Sequence, residues 1–278
     1  MRAPALIPSD FTVWAVSDLH GMAGPLARAL LAAGLTGPSG DWCAPAGTAL
    51  VVCGDTIDRG PDSWLLVSEL LRLRAEAAAA GSQVLLLEGN HEWMARLGLA
   101  GDDDLLGLWL ANGGRACLFS LGLDRDSRAL GRSTRSIAAA VRSLEPGFGN
   151  FLADLIPYAR WRDLLLVHGG PVPNTPSLAA FAADPQRLFI REDFLFGPAF
   201  PASPVWAAFV AAGISRAVVG HTPGSGVRLY HSGAVAVIDT NAARDRAVMV
   251  ATNPSVTLVR LPDAGSLAQA HLVSERSW

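Results

Sequence analysis

Five short apolar runs in this chain each end in a residue that can hold a cation. Residues 11–17 end at Asp18 and His20, 48–53 at Asp55, and 83–87 at Asn90 and His91; 164–167 end at His168 and 217–219 at His221. One histidine after a strand means little. Four of the 6 histidines at such exits do mean something, because parallel strands of one sheet bring their C-terminal ends to one rim. The donors divide into two sets, Asp18, His20 and Asp55, and Asp55, Asn90, His168 and His221. If Asp55 is shared, two metal ions fit about 3.5–4 Å apart. Carboxylate, amide and imidazole donors suit manganese, iron or zinc, and no cysteine is needed. The neutral amide of Asn90 limits the ligand charge and keeps the ions electrophilic toward an anion. The second exit continues Gly54-Asp55-Thr56-Ile57-Asp58-Arg59-Gly60-Pro61. There Arg59 is either one more cation for an anionic substrate or a brace for the turn.

Five blocks, Asp18-Leu-His-Gly, Gly54-Asp-Thr-Ile-Asp-Arg-Gly, Gly89-Asn-His-Glu, His168-Gly-Gly and Gly220-His, resemble those of calcineurin-like metallophosphoesterases, in the same order. More narrowly they resemble the phosphoprotein phosphatase branch. Trp109-Leu-Ala-Asn-Gly-Gly114 and Phe189-Ile-Arg-Glu-Asp-Phe-Leu195 are similar to segments of small bacterial and phage serine/threonine phosphatases. The resemblance implies that Asp18 and His20 hold one ion, that Asp55 bridges, and that Asn90, His168 and His221 hold the other. It further implies that His91 assists the leaving group with Asp58 as its partner, and that Arg59 and Arg191 bind phosphoryl oxygens. The first block of the family begins with Gly where this chain has Ser17, a departure expected to bear on the turn and to leave the ligands intact. Asp239 is expected to make structural hydrogen bonds only, and Trp93 and Trp109 to anchor the core.

Chemistry supports the same roles. A water held between two metals is acidic enough to attack a phosphoester near neutral pH. Arginine forks match phosphoryl oxygens. An acid at Asp58 would orient His91 and keep it protonated. The expected activity is metal-dependent hydrolysis of phosphoserine and phosphothreonine on proteins, by direct water attack without a phosphoenzyme. Symmetrical dinucleoside tetraphosphate hydrolysis and small-molecule phosphatase activity are the alternatives. A non-catalytic phosphate-binding regulatory module would lack a ligand or acid, and none is missing here.

The elements that must position these groups follow from pattern. Residues 11–17, 48–53, 83–87, 164–167 and 217–219 read as strands, and 227–231, 235–238, 247–251 and 256–261 as later ones. Met22, Leu26 and Leu30 give a helix closed by Gly34, and Pro61 opens a second with Leu66, Leu70 and Leu73 on its inner face. Residues 102–162 read as a helical cap or insertion, and those after Pro262 as peripheral. The order predicts one α/β domain over 1–278, with two packed mixed β-sheets flanked by helices, the second sheet built from the late strands.

Composition bounds the rest. The 278 residues are 50% apolar, enough for a substantial core. With 22 Lys+Arg against 25 Asp+Glu, the net charge of -3 gives no nucleic-acid footprint. The 3 cysteines, Cys43, Cys53 and Cys117, are scattered, which suggests a reducing compartment. No run is long enough to span a bilayer and the N-terminus reads as neither signal nor anchor, so a cytoplasmic location is expected. The expected cofactors are two divalent ions, manganese first, and the expected partner is a phosphorylated protein or small phosphoester.

Overall fold

The computed structural model describes residues 2–123, 134–243 and 255–276. A short β1 (Ala5–Ile7) precedes β2 (Thr12–Val16), α1 (Ala23–Ala32), β3 (Thr48–Val52), α2 (Ser63–Ala79) and β4 (Gln83–Leu86). Helices α3 (Asn90–Ala100), α4 (Asp103–Trp109), α5 (Arg115–Ser120), α6 (Thr134–Leu144) and α7 (Pro146–Asp154) follow. Strands β5 (Ala159–Trp161) and β6 (Leu164–Val167) lead into α8 (Leu178–Ala183), α9 (Glu192–Leu195) and α10 (Ala207–Ala211). The described chain ends through β7 (Arg216–Val219), β8 (Arg228–Tyr230), β9 (Val235–Val237), β10 (Ser255–Arg260) and β11 (His271–Arg276).

These strands make two mixed sheets, one ordered β11-β10-β2-β3-β4 and the other β1-β5-β6-β7-β9-β8. Alternation along each strand explains why the runs read as continuously apolar. Val13, Ala15, Ala49 and Val51 share one buried cluster with Leu164, Leu166 and Val218, so these faces of the two sheets meet. Trp14, Val16, Leu50 and Val52 point the other way, under Leu26, Leu30, Leu66 and Leu70 of α1 and α2. Leu165, Val167, Ala217 and Val219 pack against Phe181, Phe194 and Phe209. Strands covered on both faces need no polar alternation. Each Val or Leu buried in this way contributes roughly 1.5–3 kcal/mol.

The two-sheet α/β architecture is as expected, but membership differs in detail. The late strands do not all join the second sheet: β10 pairs antiparallel with β2, and β11 with β10, so the region after Pro262 includes an edge strand rather than only a periphery. Strands β1 and β5, which pair in parallel, were not expected; β5 lies at the end of the stretch read as helical. The late runs at 227–231 and 235–238 pair antiparallel as β8 and β9, with Tyr230 opposite Val235. The expected strand at 247–251, and residues 124–133 of the expected insertion, lie outside the described residues. Among the described residues, no helix is long and apolar enough to cross a membrane.

Candidate dinuclear metal centre

The exits do not share one sheet. Those of β2, β3 and β4 belong to one sheet and those of β6 and β7 to the other. The expectation of a single rim is therefore corrected: two parallel sets of strand ends abut across the sandwich. The loops are then stitched together. Asp18 N–H donates to Gly54 O (3.1 Å), His20 N–H to Asp55 O (2.9 Å), and Gly220 N–H to His168 O (2.7 Å). His221 N–H donates to Asp18 Oδ2 at 2.9 Å and so joins the two sheets at the site.

The backbone turns sharply here. Asp18, His20, Asp55, Asp58, Arg59 and His221 all have positive φ, between 44° and 78°. Side chains other than glycine avoid this region, and such strain collects at functional sites. The crowding leaves no room for side chains at several glycines, Gly54 and Gly220 among them. A Cβ on Gly54, at φ 80°, would lie 2.7 Å from both Gly89 Cα and His168 Nδ1, and one on Gly220 would overlap Ser17 and the Asp18 carboxylate.

Asp55 lies at the centre. Its Oδ2 is 3.7 Å from His20 Nε2 and 3.8 Å from His91 Nε2, while its Oδ1 is 3.4 Å from His168 Nε2. The two oxygens of one carboxylate thus address two clusters. Potential ligand atoms of His20, Asp55 and His91 lie within 4.8 Å of one another, and so do those of Asp55, His168 and His221. Backbone carbonyls fix the imidazoles: His20 Nδ1–H donates to Ile57 O and His168 Nδ1–H to Cys53 O, both at 2.9 Å. Each Nε2 then faces inward and is the nitrogen left to bind an ion once it carries no proton, as a metal-binding histidine requires. Asn90 Oδ1 sits 2.9 Å from His168 Nε2. The donor set fits two divalent ions.

Asp18, expected in the first set, faces the same cavity of about 40 Å³, with Asp55, Arg59, Asn90, His91, Arg191, His221 and Asp239 among its lining. Its Oδ2 accepts from Ser17 Oγ at 2.5 Å as well as from His221 N–H. Ser17 therefore touches the Asp18 carboxylate itself, so its effect reaches beyond the turn. In the geometric triad His91 stands where Asp18 was expected. Its other nitrogen is taken, since Nδ1 lies 2.6 Å from Asp58 Oδ2. Arg59 spans both rings, with Nη1 2.9 Å from His20 Nε2 and Nη2 3.2 Å from His91 Nε2. The His20 lone pair can serve one partner at a time, so Arg59 and an ion compete for it. Arg191 reaches the cavity from an exposed position.

Electrostatics sort the groups. Burial, and then Arg59, push the His20 pKa well down; burial and the neighbouring His168 do the same for His221. Both are thereby neutral. Burial opposes charge on His91, but Asp55 and Asp58 overcome it and raise the pKa. At His168 burial is likewise overcome, by Asp55 and Asp18, and the pKa rises to about 10. The cationic histidines hold Asp55 ionised, against its burial. Burial pushes Asp18 and Asp58 upward.

Four neighbours carry more than the sequence suggested. Glu92 Oε2 accepts from Gly89 N–H and Asp55 N–H, both at 3.0 Å, and Oε1 from Thr56 N–H (2.7 Å) and Ile57 N–H (3.2 Å). Burial, with Asp55 nearby, lifts its pKa to about 7. Glu92 therefore clamps the loops after β3 and β4, a role that its helix-start position only hinted at. Trp109 is a buried core anchor, as expected, but its Nε1–H also donates to Asp58, 2.8 Å from Oδ2. Arg59 N–H donates to Gly113 O at 3.3 Å, so the turn at Leu110–Gly114 lies directly on the acidic loop. Asp239 Oδ1 accepts Asn241 N–H at 2.8 Å, the structural bond expected of it, yet the residue also lines the cavity.

The family model described as calcineurin-like phosphoesterase matches residues 11–225. Shewanella-like protein phosphatase 2 of Arabidopsis thaliana is 38% identical over 80 residues, which is 29% of this chain and 20% of that protein; the match thus spans a fifth of the relative's length. The crystal structure of a cold-active protein-tyrosine phosphatase of a psychrophilic Shewanella species is similar in fold (TM-score 0.62, 19% identity), covering 98% of this chain and 82% of that one. A protein serine/threonine phosphatase from Saccharomyces cerevisiae has a TM-score of 0.57 and 13% identity, covering 99% and 83%. At these identities the likeness to solved structures extends to the fold alone.

Proposed function

The chain belongs to the calcineurin-like phosphoesterases, and from that premise we propose that it is a phosphomonoester hydrolase acting on phosphoserine and phosphothreonine in proteins. The observation that carries the reading is the Asp55 carboxylate, whose two oxygens face two separate histidine clusters. On this reading Asp18, His20 and Asp55 hold one divalent ion, and Asp55, Asn90, His168 and His221 the other. Manganese is the first choice, with iron or zinc as alternatives. When bound, the ions supply a water acidic enough to attack near neutral pH and neutralise charge on the phosphoryl group.

The chain's own groups do the remaining work. Arg59 and Arg191 line the cavity and give fork-like donors to phosphoryl oxygens. His91 keeps its Nδ1 proton on Asp58, so the proton it passes to the leaving oxygen is the one on Nε2. Trp109 and Asp58 fix the ring that does this. The reading treats 1–278 as one domain, with 102–162 as a cap or insertion that reaches the site through Trp109 and Gly113.

A second reading has its own support. Phe189, 39% exposed, stands edge-on to His221 (6.3 Å) and to Trp93 (5.6 Å). An exposed ring beside the centre would suit a nucleobase, as in symmetrical dinucleoside tetraphosphate hydrolysis, or the aryl group of phosphotyrosine, the residue type named for the Shewanella enzyme. The test is product formation with manganese on phosphoserine, phosphothreonine and phosphotyrosine peptides, a dinucleoside tetraphosphate and an aryl phosphate, with Asp55→Asn as control. Preferred release from phosphoserine or phosphothreonine peptides, lost in the variant, supports the first reading. Nucleoside diphosphate as the sole product from the dinucleotide, with peptides inert, or preference for aryl esters, replaces it. Inertness on the whole panel, repeated with iron and zinc, supports a phosphate-binding module instead.

A further inference from the structure

Glu88 directly precedes Gly89-Asn90-His91 and is 1% exposed. Its carboxylate accepts from two guanidinium groups. Oε1 accepts from Arg96 Nη2 (2.7 Å) and Nε (3.1 Å), and Oε2 from Arg187 Nη2 (2.6 Å). Arg96 lies on α3, the helix that Glu88 leads into, so that bond is local. Arg187 comes from 99 residues away and is itself 0% exposed. Its backbone carbonyl accepts from Gly169 N–H (3.0 Å) and Gly170 N–H (3.1 Å), the two residues after His168. The fit is close, because a Cβ on Gly169 would lie 2.6 Å from that oxygen. Two residues further on, Phe189 meets Trp93 and His221; four residues on, Arg191 enters the cavity.

A single residue thus ties the exit of β4 in one sheet to the exit of β6 in the other, and starts the segment that ends at Arg191. Stability alone does not call for an ion pair in that place, since a well-packed apolar pair would hold as well. An ion pair has directional bonds, which an apolar contact lacks. We propose that Arg187 is a positioning residue: its bond to Glu88 holds the segment 187–191 so that the Arg191 guanidinium stands at the phosphoryl-binding cavity. This inference rests on the proposed role of Arg191.

The test is calorimetric binding of inorganic phosphate to manganese-loaded protein, with the metal content of every variant counted. Arg187→Met leaves Glu88 paired with Arg96 and keeps the carbonyl bonds of position 187, so no buried charge is stranded. Arg191→Ala removes the proposed phosphate contact, and Arg96→Met removes the other cation from Glu88 without touching the segment. Arg187→Met and Arg191→Ala should each weaken phosphate binding about tenfold, roughly one charge-assisted hydrogen bond. Their combination should be no worse than Arg191→Ala alone, and Arg96→Met should leave the affinity unchanged. Additive losses, equal effects of Arg96→Met and Arg187→Met, or a silent Arg187→Met beside an effective Arg191→Ala would overturn the positioning role while leaving the phosphate role of Arg191 intact. A silent Arg191→Ala would refute that phosphate role, and the positioning inference with it.

Discussion

His168 should make the metal-free protein sensitive to alkali. Its Nδ1–H donates to Cys53 O, and its Nε2 faces Asn90 Oδ1 at 2.9 Å and Asp55 Oδ1 at 3.4 Å. Those two oxygens both attract a positive centre. Without an ion, a proton on Nε2 fills that role, and burial is outweighed by Asp55 and Asp18 to set the pKa at about 10. The unfolded chain has the ordinary value near 6.5. About 3.5 pH units at roughly 1.36 kcal/mol each amount to a stabilisation on the order of 5 kcal/mol. Because the folded value is raised, this contribution is complete below about pH 6.5 and is lost as the pH climbs toward 10. Urea denaturation of chelator-treated protein at intervals across that window should show stability falling by a few kcal/mol. Manganese-loaded protein should show a much smaller fall, since the same lone pair is then occupied without a proton. Asp55→Asn should flatten the metal-free curve by removing the carboxylate that sustains the charge. A metal-free protein whose stability is constant from pH 6.5 to 10, or equal slopes with and without manganese, would refute the reasoning.

Other outcomes follow from the same geometry. Asp55→Asn should bind fewer than the two ions expected for the wild type, read by metal analysis after gel filtration, because one amide cannot face both histidine clusters with charged oxygens. Trp109→Phe deletes the indole N–H bond to Asp58 and should cost about 2 kcal/mol in denaturant, the usual size for a bond to a buried charged group. Gly220→Ala should lower the melting temperature and the metal content together, because the new methyl group would occupy the space of Ser17 and the Asp18 carboxylate.

That the candidate-site residues converge was largely legible because they stand at the exits of apolar runs. Asp18, Asp55, Asn90, His168 and His221 follow apolar runs, and a strand buried on both faces announces itself by that continuity. What escaped was set by distance in the chain. Glu92 reads as the first turn of a helix; its four amide bonds exist only once the loops after β3 and β4 meet. Glu88 and Arg187 look like ordinary surface charges until the two sheets close over them. Trp109 looked like core, and it is, but its one polar atom needed Asp58 in space rather than in sequence. Strands β1 and β5 are three residues each, too short for alternation to signal, and exist because β5 pairs with β6 on one side and with β1 on the other. The late strands were visible as strands, but nothing local told β10 to return to β2.

That return sets a timetable for synthesis. Trp14 and Ala15 wait for Arg260 and Val259, their partners across the ladder. At ~5–20 residues per second, the ribosome needs roughly 10–50 s to make the chain between them. Throughout that time one edge of β2 has no strand beside it, although Asp18 and His20 have long since emerged. An open edge of valine, tryptophan and alanine is a template for pairing with the wrong chain. The nascent protein therefore carries an aggregation hazard beside the loop of its candidate site, and chaperone capture in vivo should concentrate on the window before the last strands emerge.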